Sequence, residues 1–333
     1  MASRCTVAVV SDIHYAGDAE RARRRHESAV IRQRALRLLA RTFRHYFWMR
    51  DPFAHNELLD RFLREADGAD WLVANGDYSC DSAFIGVCDD AACASAAACL
   101  DRLRARFPGR MAATYGDHEL GKMSLFGGRG GPRLASWRRA QAELGLEPFW
   151  QRDLGNYRLF GVVSSLVALP VYAPEVLPEE QAEWQALRAT HLGQIARAFA
   201  DLAPYQRVLL FCHDPTALPF LWQEETVRAK LAQVECTIIG HLHTPLIYWK
   251  SRLLAGMPTV SCLGNSIRRM SRALHDARLW GPFRVRLCPA LAGCQLLKDG
   301  GYYTLELDLA ARAPVGITFH PLPWSAGERQ PHG

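Results

Sequence analysis

The chain has 333 residues, of which 49% are hydrophobic and 22% charged, with a formal net charge of +6 at pH 7. This is long enough for one large α/β domain or two small ones, and no apolar run reaches the roughly 20 residues of a membrane-spanning helix. Because residues 1–5 run directly into the first predicted strand, they leave no room for a cleaved signal peptide, and we expect a cytoplasmic protein.

Five short apolar runs along the chain are each followed by acids, histidines or both. The runs lie at residues 7–10, 71–74, 111–115, 208–212 and 237–239. The polar clusters after them are, in chain order, Asp12-Ile13-His14, Gly76-Asp77, Gly116-Asp117-His118-Glu119, His213-Asp214 and Gly240-His241-Leu242-His243. Because the carboxyl ends of buried strands in an α/β sheet open onto one crevice, we expect these clusters to converge in space. Such convergence predicts a metal site.

The candidate metal ligands number seven: Asp12, His14, Asp77, Asp117, His213, His241 and His243. Carboxylates and imidazoles suit zinc, manganese and iron. Since one ion usually takes about three to six donors, this set favours two divalent metal ions that share a bridging carboxylate. Such a pair holds a phosphoryl group and generates hydroxide near neutral pH. We therefore predict a metal-dependent phosphoric ester hydrolase, with manganese as the first expectation and iron or zinc as alternatives.

The order of these clusters over residues 12–243 resembles that of the calcineurin-like metallophosphoesterase superfamily. The resemblance implies an α/β fold, a two-sheet β-sandwich flanked by helices in four layers (αββα), with helical insertions near the active site. The ligands that it implies are Asp12, His14 and His243 for the first metal, Asp117, His213 and His241 for the second, and Asp77 as the bridge. His118 would be catalytic, as a general acid or as a donor to a phosphate oxygen, while a hydroxide between the metals attacks phosphorus.

Two positions depart from the family pattern. Asp117 stands where asparagine is usual, and its charge should bind the cation more firmly while weakening the cation's pull on the phosphate oxygens. The family has an aspartate three residues after the bridging one, whereas Asp81 lies four residues after Asp77. Asp81 is the candidate catalytic residue for orienting His118, as carboxylates do for other catalytic or metal-bound imidazoles.

Residues 21–50 carry ten arginines and one acid, Glu27. Apolar spacing predicts an amphipathic helix from Ser28 to Met49, ended by Asp51-Pro52, and a second helix from about Asn56 to Ala66. A basic helix with aromatic residues is typical of contact with an anionic membrane surface or an anionic ligand. A solvated arginine face over an apolar stripe packed on the core is the first interpretation, a membrane or lipid contact is the second, and nucleic acid is the least favoured partner.

The ten cysteines do not predict a structural zinc site. Cys5, Cys212 and Cys236 lie in or beside strand-like runs, where a small reduced thiol packs well. A further four lie in the alanine-rich segment 80–107: Cys80, Cys88, Cys93 and Cys99. Their spacing fits no zinc motif, so we interpret the segment as an insert of interchangeable small residues, with a redox pair or an additional metal site as the alternative.

The glycine-rich stretch 127–132 contains Arg129, a candidate substrate-binding residue if the stretch closes as a lid. The stretch lacks the strand-loop-helix context of a phosphate-cradling loop, so a plain surface connection is the favoured interpretation. Farther on, Pro178 and the acids after it predict a helix that runs toward Asp201.

Two strands are predicted in the last third of the chain. Residues 258–263 form an apolar run, after which we expect a loop containing Arg268 and Arg269. Alternation over residues 302–308 predicts a late strand that closes the second sheet.

We interpret residues 1–323 as one metallophosphoesterase domain, because a boundary between the clusters would split the site. The domain then carries a helical insert at residues 20–68, as a cap toward substrate or membrane, and the insert at 80–107. Residues 324–333 form a polar tail.

The cap favours an amphiphilic substrate in which a phosphodiester or pyrophosphate bond is hydrolysed. UDP-2,3-diacylglucosamine, an intermediate of lipid A biosynthesis, is the example to test first, with the protein peripheral on the inner face of the membrane. A soluble nucleotide or cyclic-nucleotide phosphodiesterase and a non-catalytic scaffold with a degenerate metal site are the alternatives.

Overall fold

Two five-stranded β-sheets make up the centre of the computed structural model of the chain. The structure describes residues 4–23, 31, 33–80, 84–121, 130–260 and 265–324. Within these ranges the strands are β1 (Arg4–Val10), β2 (Trp71–Ala74), β3 (Met111–Ala113), β4 (Phe149–Leu154), β5 (Tyr157–Val162), β6 (Arg207–Cys212), β7 (Val234–Ile239), β8 (Val285–Leu287), β9 (Gly301–Asp308) and β10 (Gly316–Pro321).

The α-helices of the same ranges differ widely in length. They are α1 (Asp18–Ala22), α2 (Arg34–Phe43), α3 (Asn56–Glu65), α4 (Asp90–Arg106), α5 (Asp117–Leu120), α6 (Leu134–Ala142), α7 (Ser164–Val167), α8 (Leu169–Tyr172), α9 (Gln181–Ala200), α10 (Leu218–Gln223), α11 (Glu225–Ala229), α12 (Pro245–Leu253) and α13 (Asn265–Asp276). None of them combines the length and hydrophobicity that a bilayer-crossing segment needs.

The first sheet has the order β10, β9, β1, β2, β3, with β1, β2 and β3 parallel and β9 antiparallel to β1. The late strand predicted over residues 302–308 is β9, but its assignment to the second sheet is wrong. Its partner is β1, with Cys5 opposite Leu307. Alternation along a strand shows which side chains share a face, whereas backbone pairing with a remote strand decides sheet membership.

The second sheet has the order β4, β5, β6, β7, β8, with β4 antiparallel to β5 and the remaining strands parallel. Both sheets are therefore mixed. Each contributes parallel strands, β1 to β3 in one and β5 to β8 in the other, whose carboxyl ends are followed by loops or turns.

The sheets pack face to face, and their alternating side chains separate the core into layers. Val7 and Val9 of β1 share a buried cluster with Leu209 and Phe211 of β6. The intervening β1 residue Ala8 belongs to a cluster with α3 and α4, while the outer face of the second sheet packs against α9 and α10. The predicted α/β fold, a two-sheet β-sandwich flanked by helices, is confirmed.

The predicted basic helix is only partly described. Residues 24–30 and 32 lie outside the described ranges, α2 covers Arg34–Phe43, and a short π-helical segment (Arg44–Trp48) continues it. No residue of α2 or of this segment is buried. The next helix, α3, has the predicted position and buries Leu58, Leu59 and Phe62.

The alanine-rich helix α4 packs against the outer face of the first sheet. Cys93 and Cys99 lie in the same buried cluster as Leu100 and Leu103. All described cysteines are free thiols, and none joins a potential metal-binding group within the described ranges.

The predicted chain course after residue 257 is wrong. Residues 258–260 form no strand, and residues 261–263 lie outside the described ranges. Arg268 and Arg269 lie on α13 and not in a loop. Met270 and Leu274 lie four positions apart, which is the spacing of residues on one face of a helix.

Candidate metal centre

The polar clusters lie in the turns that follow strands of both sheets. Asp12 follows β1, Asp77 follows β2 and Asp117 follows β3, while His213 follows β6 and His241 follows β7. These turns meet at one end of the sandwich, where the ligand atoms of the seven candidate side chains fall into overlapping groups, each with its atoms within 4.8 Å of one another. The structure thus brings together the seven residues that the sequence pattern singled out.

The backbone of five of the seven candidate ligands is left-handed. The φ angles are 50° at Asp12, 50° at His14, 59° at Asp77, 61° at His241 and 58° at His243. Such angles are uncommon outside glycine, and each costs on the order of 1–3 kcal/mol. Within the described ranges the other non-glycine residues with positive φ are Arg284, Lys298 and Ala311. Backbone strain is therefore concentrated where the candidate ligands lie.

The first ligand group consists of Asp12, His14, Asp77 and His243. The Nε2 atoms of His14 and His243 lie 3.2 Å apart. His243 Nε2 also lies 3.2 Å from Oδ1 of Asp12. Two imidazole nitrogens and a carboxylate oxygen at this spacing can serve as donors to one divalent cation.

The second ligand group consists of Asp117, His213 and His241. Oδ1 of Asp117 lies 3.1 Å from Nδ1 of His241 and 3.2 Å from Nε2 of His213. The same Nε2 atom lies 3.2 Å from Oδ2 of Asp77. The carboxylate of Asp77 therefore belongs to the first group and also borders the second, which is the position that a bridging ligand requires.

His213 provides the test of whether the donors fit a cation. Its Nδ1 lies 2.6 Å from the carbonyl oxygen of Asn75, which can only accept, so this nitrogen carries a proton. Its Nε2 is buried without a hydrogen-bond partner in the described part of the chain, although Asp77 and Asp117 are close. A lone pair facing two carboxylates is unfavourable unless a proton or a cation lies between them. The residues present therefore fit a metal site.

Three of the imidazoles are oriented by the loop that follows β2. Nδ1 of His213 donates to the carbonyl of Asn75, Nδ1 of His14 lies 3.1 Å from the carbonyl of Ser79, and Nδ1 of His118 lies 3.1 Å from that of Cys80. These contacts fix the tautomer that directs Nε2 toward the centre. The sequence contained no signal for them, because any residue type supplies a carbonyl oxygen.

His118 lies at the edge of both groups and is buried. Its Nε2 lies 3.8 Å from Oδ2 of Asp77, and its backbone N–H donates to Oδ1 of the same residue. Two other predicted site residues, Asp81 and Arg129, lie outside the described ranges.

Glu119 supports the centre, although the sequence analysis gave it no role. Its carboxylate accepts hydrogen bonds from the backbone N–H groups of Gly116, Asp77 and Tyr78, at 2.7, 3.0 and 2.9 Å. Burial, with the nearby charge of Asp77, raises the pKa of Glu119 to about 7. Glu119 therefore ties α5 to the turn that carries Asp77. The sequence offers one signal for this role, which is that the acidic Glu119 directly follows the candidate site residues Asp117 and His118.

Gly116 allows this turn to approach α5. A Cβ atom at Gly116 would lie 2.0 Å from Oδ1 of Asp77 and 2.4 Å from the Asp77 backbone nitrogen. Contacts this short cannot be relieved by moving a flexible side-chain end, so a larger residue would displace Asp77.

Charge balance within the centre shifts several pKa values. Burial raises the pKa of Asp12 to about 6. Burial lowers the pKa of His241, but the carboxylates of Asp214 and Asp117 raise it more, to about 10. Without metal the imidazole of His241 therefore holds a proton at neutral pH, which a cation has to displace.

The segment after α2 covers the first ligand group. Arg44, Trp48, Met49 and Pro52 line a narrow cleft. The opposite wall includes Asp12, His14 and His243. The exposed basic segment and the candidate metal centre are therefore in contact.

The chain matches the model of the calcineurin-like phosphoesterase family over residues 5–245. No match was found among curated proteins. Similar solved structures include a dimetal phosphatase from Danio rerio, with 14% identity over 91% of this chain and 92% of that chain and a TM-score of 0.42. Another is the phosphopantetheinyl hydrolase from Mycobacterium tuberculosis, with 16% identity over 74% of this chain and 85% of that chain and a TM-score of 0.35.

A third similar structure is a purple acid phosphatase from yellow lupin (Lupinus luteus) seeds, with 13% identity over 73% of this chain and 38% of that chain and a TM-score of 0.36. The family match, by contrast, covers most of the 333 residues and contains all seven candidate ligands. The chain therefore belongs to the calcineurin-like phosphoesterase family and is a metal-dependent phosphoric ester hydrolase.

Proposed function

We propose that this phosphoesterase uses two divalent metal ions to hydrolyse a phosphodiester or pyrophosphate bond in an amphiphilic substrate. The position of the Asp77 carboxylate carries the dinuclear part of the proposal. One of its oxygens lies 3.2 Å from His213 in the second ligand group, while Asp77 also belongs to the first group with Asp12, His14 and His243.

Asp12, His14 and His243 would hold the first ion and Asp117, His213 and His241 the second, with Asp77 between them. When bound, the ions would supply Lewis-acid chemistry that lowers the pKa of water and neutralises charge on the phosphate oxygens. The three carboxylates suit manganese and the four imidazoles suit iron or zinc, so manganese is the first ion to test, with iron and zinc as alternatives.

His118 would donate a proton to a phosphate oxygen or to the leaving group. Its Nδ1–H is directed to the carbonyl of Cys80, so Nε2 is the nitrogen left to serve the substrate. This nitrogen lies 3.8 Å from Oδ2 of Asp77, so the proposed donor borders the proposed bridging carboxylate. Asp81 as a second orienting group and Arg129 as a phosphate-binding residue complete the proposed site.

An amphiphilic substrate is supported by the surface of α2 and the segment after it. Leu38, Leu39, Phe43, Tyr46 and Phe47 are all exposed there. Residues 28–50 contain no acid and six arginines. An exposed apolar stripe with basic neighbours suits the interface of an anionic membrane, and the same segment lines the cleft beside His14 and His243. The protein would thus act as a peripheral protein on the inner face of the membrane.

The test is a substrate panel with manganese, with and without detergent micelles. The panel contains bis(p-nitrophenyl) phosphate, a cyclic nucleotide and UDP-2,3-diacylglucosamine. We expect turnover of the generic diester and a preference for the amphiphile. The proposal of an amphiphilic substrate would be contradicted if the cyclic nucleotide were turned over faster than the other substrates and micelles did not change its rate.

Asp77→Asn is the matched test of the dinuclear centre. We expect it to lose turnover and metal pairing together, whereas Asp201→Asn, at the exposed end of α9, should leave both unchanged. Full activity of Asp77→Asn at stoichiometric metal would refute the proposed roles. No turnover of any substrate by the wild type with manganese, iron or zinc would favour a non-catalytic scaffold.

A further inference from the structure

We infer that α12, together with α13, forms a second surface that binds an anionic lipid bilayer. This inference rests on the membrane contact proposed for α2 and extends it to elements about 200 residues farther along the chain.

The outer face of α12 is apolar and exposed. Leu246, Trp249 and Leu253 are 44%, 62% and 67% exposed. Spacings of three and four residues place these side chains on one face of the helix. The only side chain of α12 that is buried is that of Ser251. Packing against the protein core therefore does not explain the apolar residues.

The charged side chains of α12 itself, Lys250 and Arg252, are both basic. Residues 236–275 contain no aspartate or glutamate, although 34 of the 333 residues of the chain are acidic. The basic residues of this stretch are Lys250, Arg252, Arg268, Arg269 and Arg272. Arg269 pairs with Glu175 and Arg272 with Asp276, so the basic charge offered to a bilayer comes from the exposed Lys250, Arg252 and Arg268. Exposed Met270 lies among the arginines of α13, and the backbone N–H of Gly256 bonds to the carbonyl of Leu274, which ties the two helices together.

This combination favours an anionic bilayer over a protein partner. An acidic protein surface would match the charges, whereas a bilayer interface accommodates both the charges and the apolar stripe of Leu246, Trp249 and Leu253. Near an anionic membrane surface each basic side chain adds electrostatic attraction, and burial of a Trp or Leu side chain contributes more.

Both basic surfaces adjoin the same metal-ligand candidate. Trp48, at the end of the segment after α2, contacts the ring of His243. Thr244, the next residue after His243, caps α12 by accepting a hydrogen bond from the backbone of Leu246. A bilayer bound by both surfaces would thus meet the rim of the cleft. Two weak contacts in one rigid protein act together, so loss of either should weaken binding strongly.

The experiment is co-sedimentation of the full-length, manganese-loaded protein with lipid vesicles. One vesicle type contains phosphatidylcholine with about one third phosphatidylglycerol, and the other contains phosphatidylcholine alone. We expect Trp249→Ser/Leu253→Ser to bind the anionic vesicles about tenfold or more weakly than the wild type. Tyr205→Ser, which removes a 65% exposed aromatic side chain before β6, should bind like the wild type.

A charge variant tests whether the basic side chains of α12 attract the anionic lipid. Lys250→Glu/Arg252→Glu should lose affinity for anionic vesicles and reduce the salt dependence of binding. Unchanged vesicle affinity in both double variants would overturn the proposed surface. A second result would also overturn it: the wild type does not bind vesicles but self-associates through this face. Light scattering would then show that the Trp249→Ser/Leu253→Ser variant has a different oligomeric state.

The assay separates this inference from the proposed hydrolysis, because it measures binding without turnover. Both double variants should keep wild-type turnover of bis(p-nitrophenyl) phosphate, since neither changes a ligand or a residue that lines the cleft. Absent turnover with intact vesicle binding would contradict the proposed reaction alone. Intact turnover with absent vesicle binding would contradict the surface alone.

Discussion

The indole ring of Trp48 lies beside the imidazole ring of His243, with the ring centroids 4.6 Å apart and the planes inclined by 31°. The backbone of Trp48 is held in turn by Gln295, whose N–H donates to its carbonyl at 2.7 Å. Through this side chain an otherwise exposed basic segment reaches a candidate metal ligand. The segment can therefore influence which substrates approach the centre.

Replacement of Trp48 should affect large substrates more than small ones. We expect Trp48→Ala to raise KM for an amphiphilic phosphodiester about tenfold, because an apolar wall of the cleft is lost. Turnover of bis(p-nitrophenyl) phosphate should change little. Trp48→Phe keeps an aromatic ring and should stay close to the wild type. Steady-state kinetics with both substrates decide the matter, and an equal loss for both would show that Trp48 acts on the metal ligands instead.

Asp117→Asn introduces the residue that is usual in the family. Removal of one negative charge should weaken binding of the second metal ion, by about tenfold or more, because an amide attracts the cation less than a carboxylate does. At saturating metal, kcat should equal or exceed that of the wild type, since the cation then pulls more strongly on the phosphate oxygens. Isothermal titration calorimetry measures the affinity for the metal ion, and initial rates at saturating metal measure kcat. Unchanged metal affinity would contradict the placement of Asp117 as a ligand.

His118→Gln should lower kcat on the order of 10²-fold to 10⁴-fold by removing the proposed proton donor. Two bound metal ions per chain should remain, because His118 is not among the seven proposed ligands. Elemental analysis of the purified variant together with its pH–rate profile tests this. The alkaline limb of the profile, where a donor loses its proton, should disappear. Loss of metal would instead identify His118 as a ligand.

Metal binding should release protons near neutral pH. The pKa of His241 in the metal-free protein is raised to about 10, because Asp214 and Asp117 outweigh the effect of burial. Below that pH the imidazole is protonated, so metal affinity should increase as the pH rises toward 10. Titration calorimetry in two buffers with different ionisation enthalpies detects the released protons. Asp214→Asn should lower the pKa of His241 and reduce the release at pH 8 to 9, whereas a binding enthalpy that is the same in both buffers would contradict the prediction.

His191 should make the fold sensitive to acid independently of the metal centre. It is buried on α9 and its Nε2 accepts a hydrogen bond from the backbone N–H of Val163 at 3.1 Å. Burial lowers its pKa from 6.5 to about 4. A lowered histidine pKa means that the neutral form contributes stability above pH 6.5, which is lost as the pH falls through 4.

The loss should amount to roughly 3 kcal/mol of unfolding free energy for this pKa shift. His191→Gln keeps an acceptor but cannot be protonated, so its stability should fall less steeply between pH 7 and pH 4. Denaturant unfolding of the two proteins across this range gives the comparison. Parallel pH profiles would show that His191 does not contribute.

The sequence alone determined the chemistry of the centre and much of its scaffold. Asp12, Asp77 and His213 could be named as candidate ligands because apolar runs mark strands and because carboxylates and imidazoles are common metal donors, and both signals are local. The helix from Asn56 was predicted for the same reason, since its apolar spacing is local too. The pairing of β9 with β1 was not predicted, because strands of either sheet show the same alternation.

Only the tertiary structure decided how the side chains are held. The carbonyls of Asn75, Ser79 and Cys80 select the imidazole tautomers, and Glu119 gathers three backbone N–H groups around the turn of Asp77. The exposure of Trp249 could not be read from its spacing, which resembles that of a core helix. A side chain's chemistry is present in the chain itself, but its tautomer and its exposure depend on which remote backbone or surface packs against it.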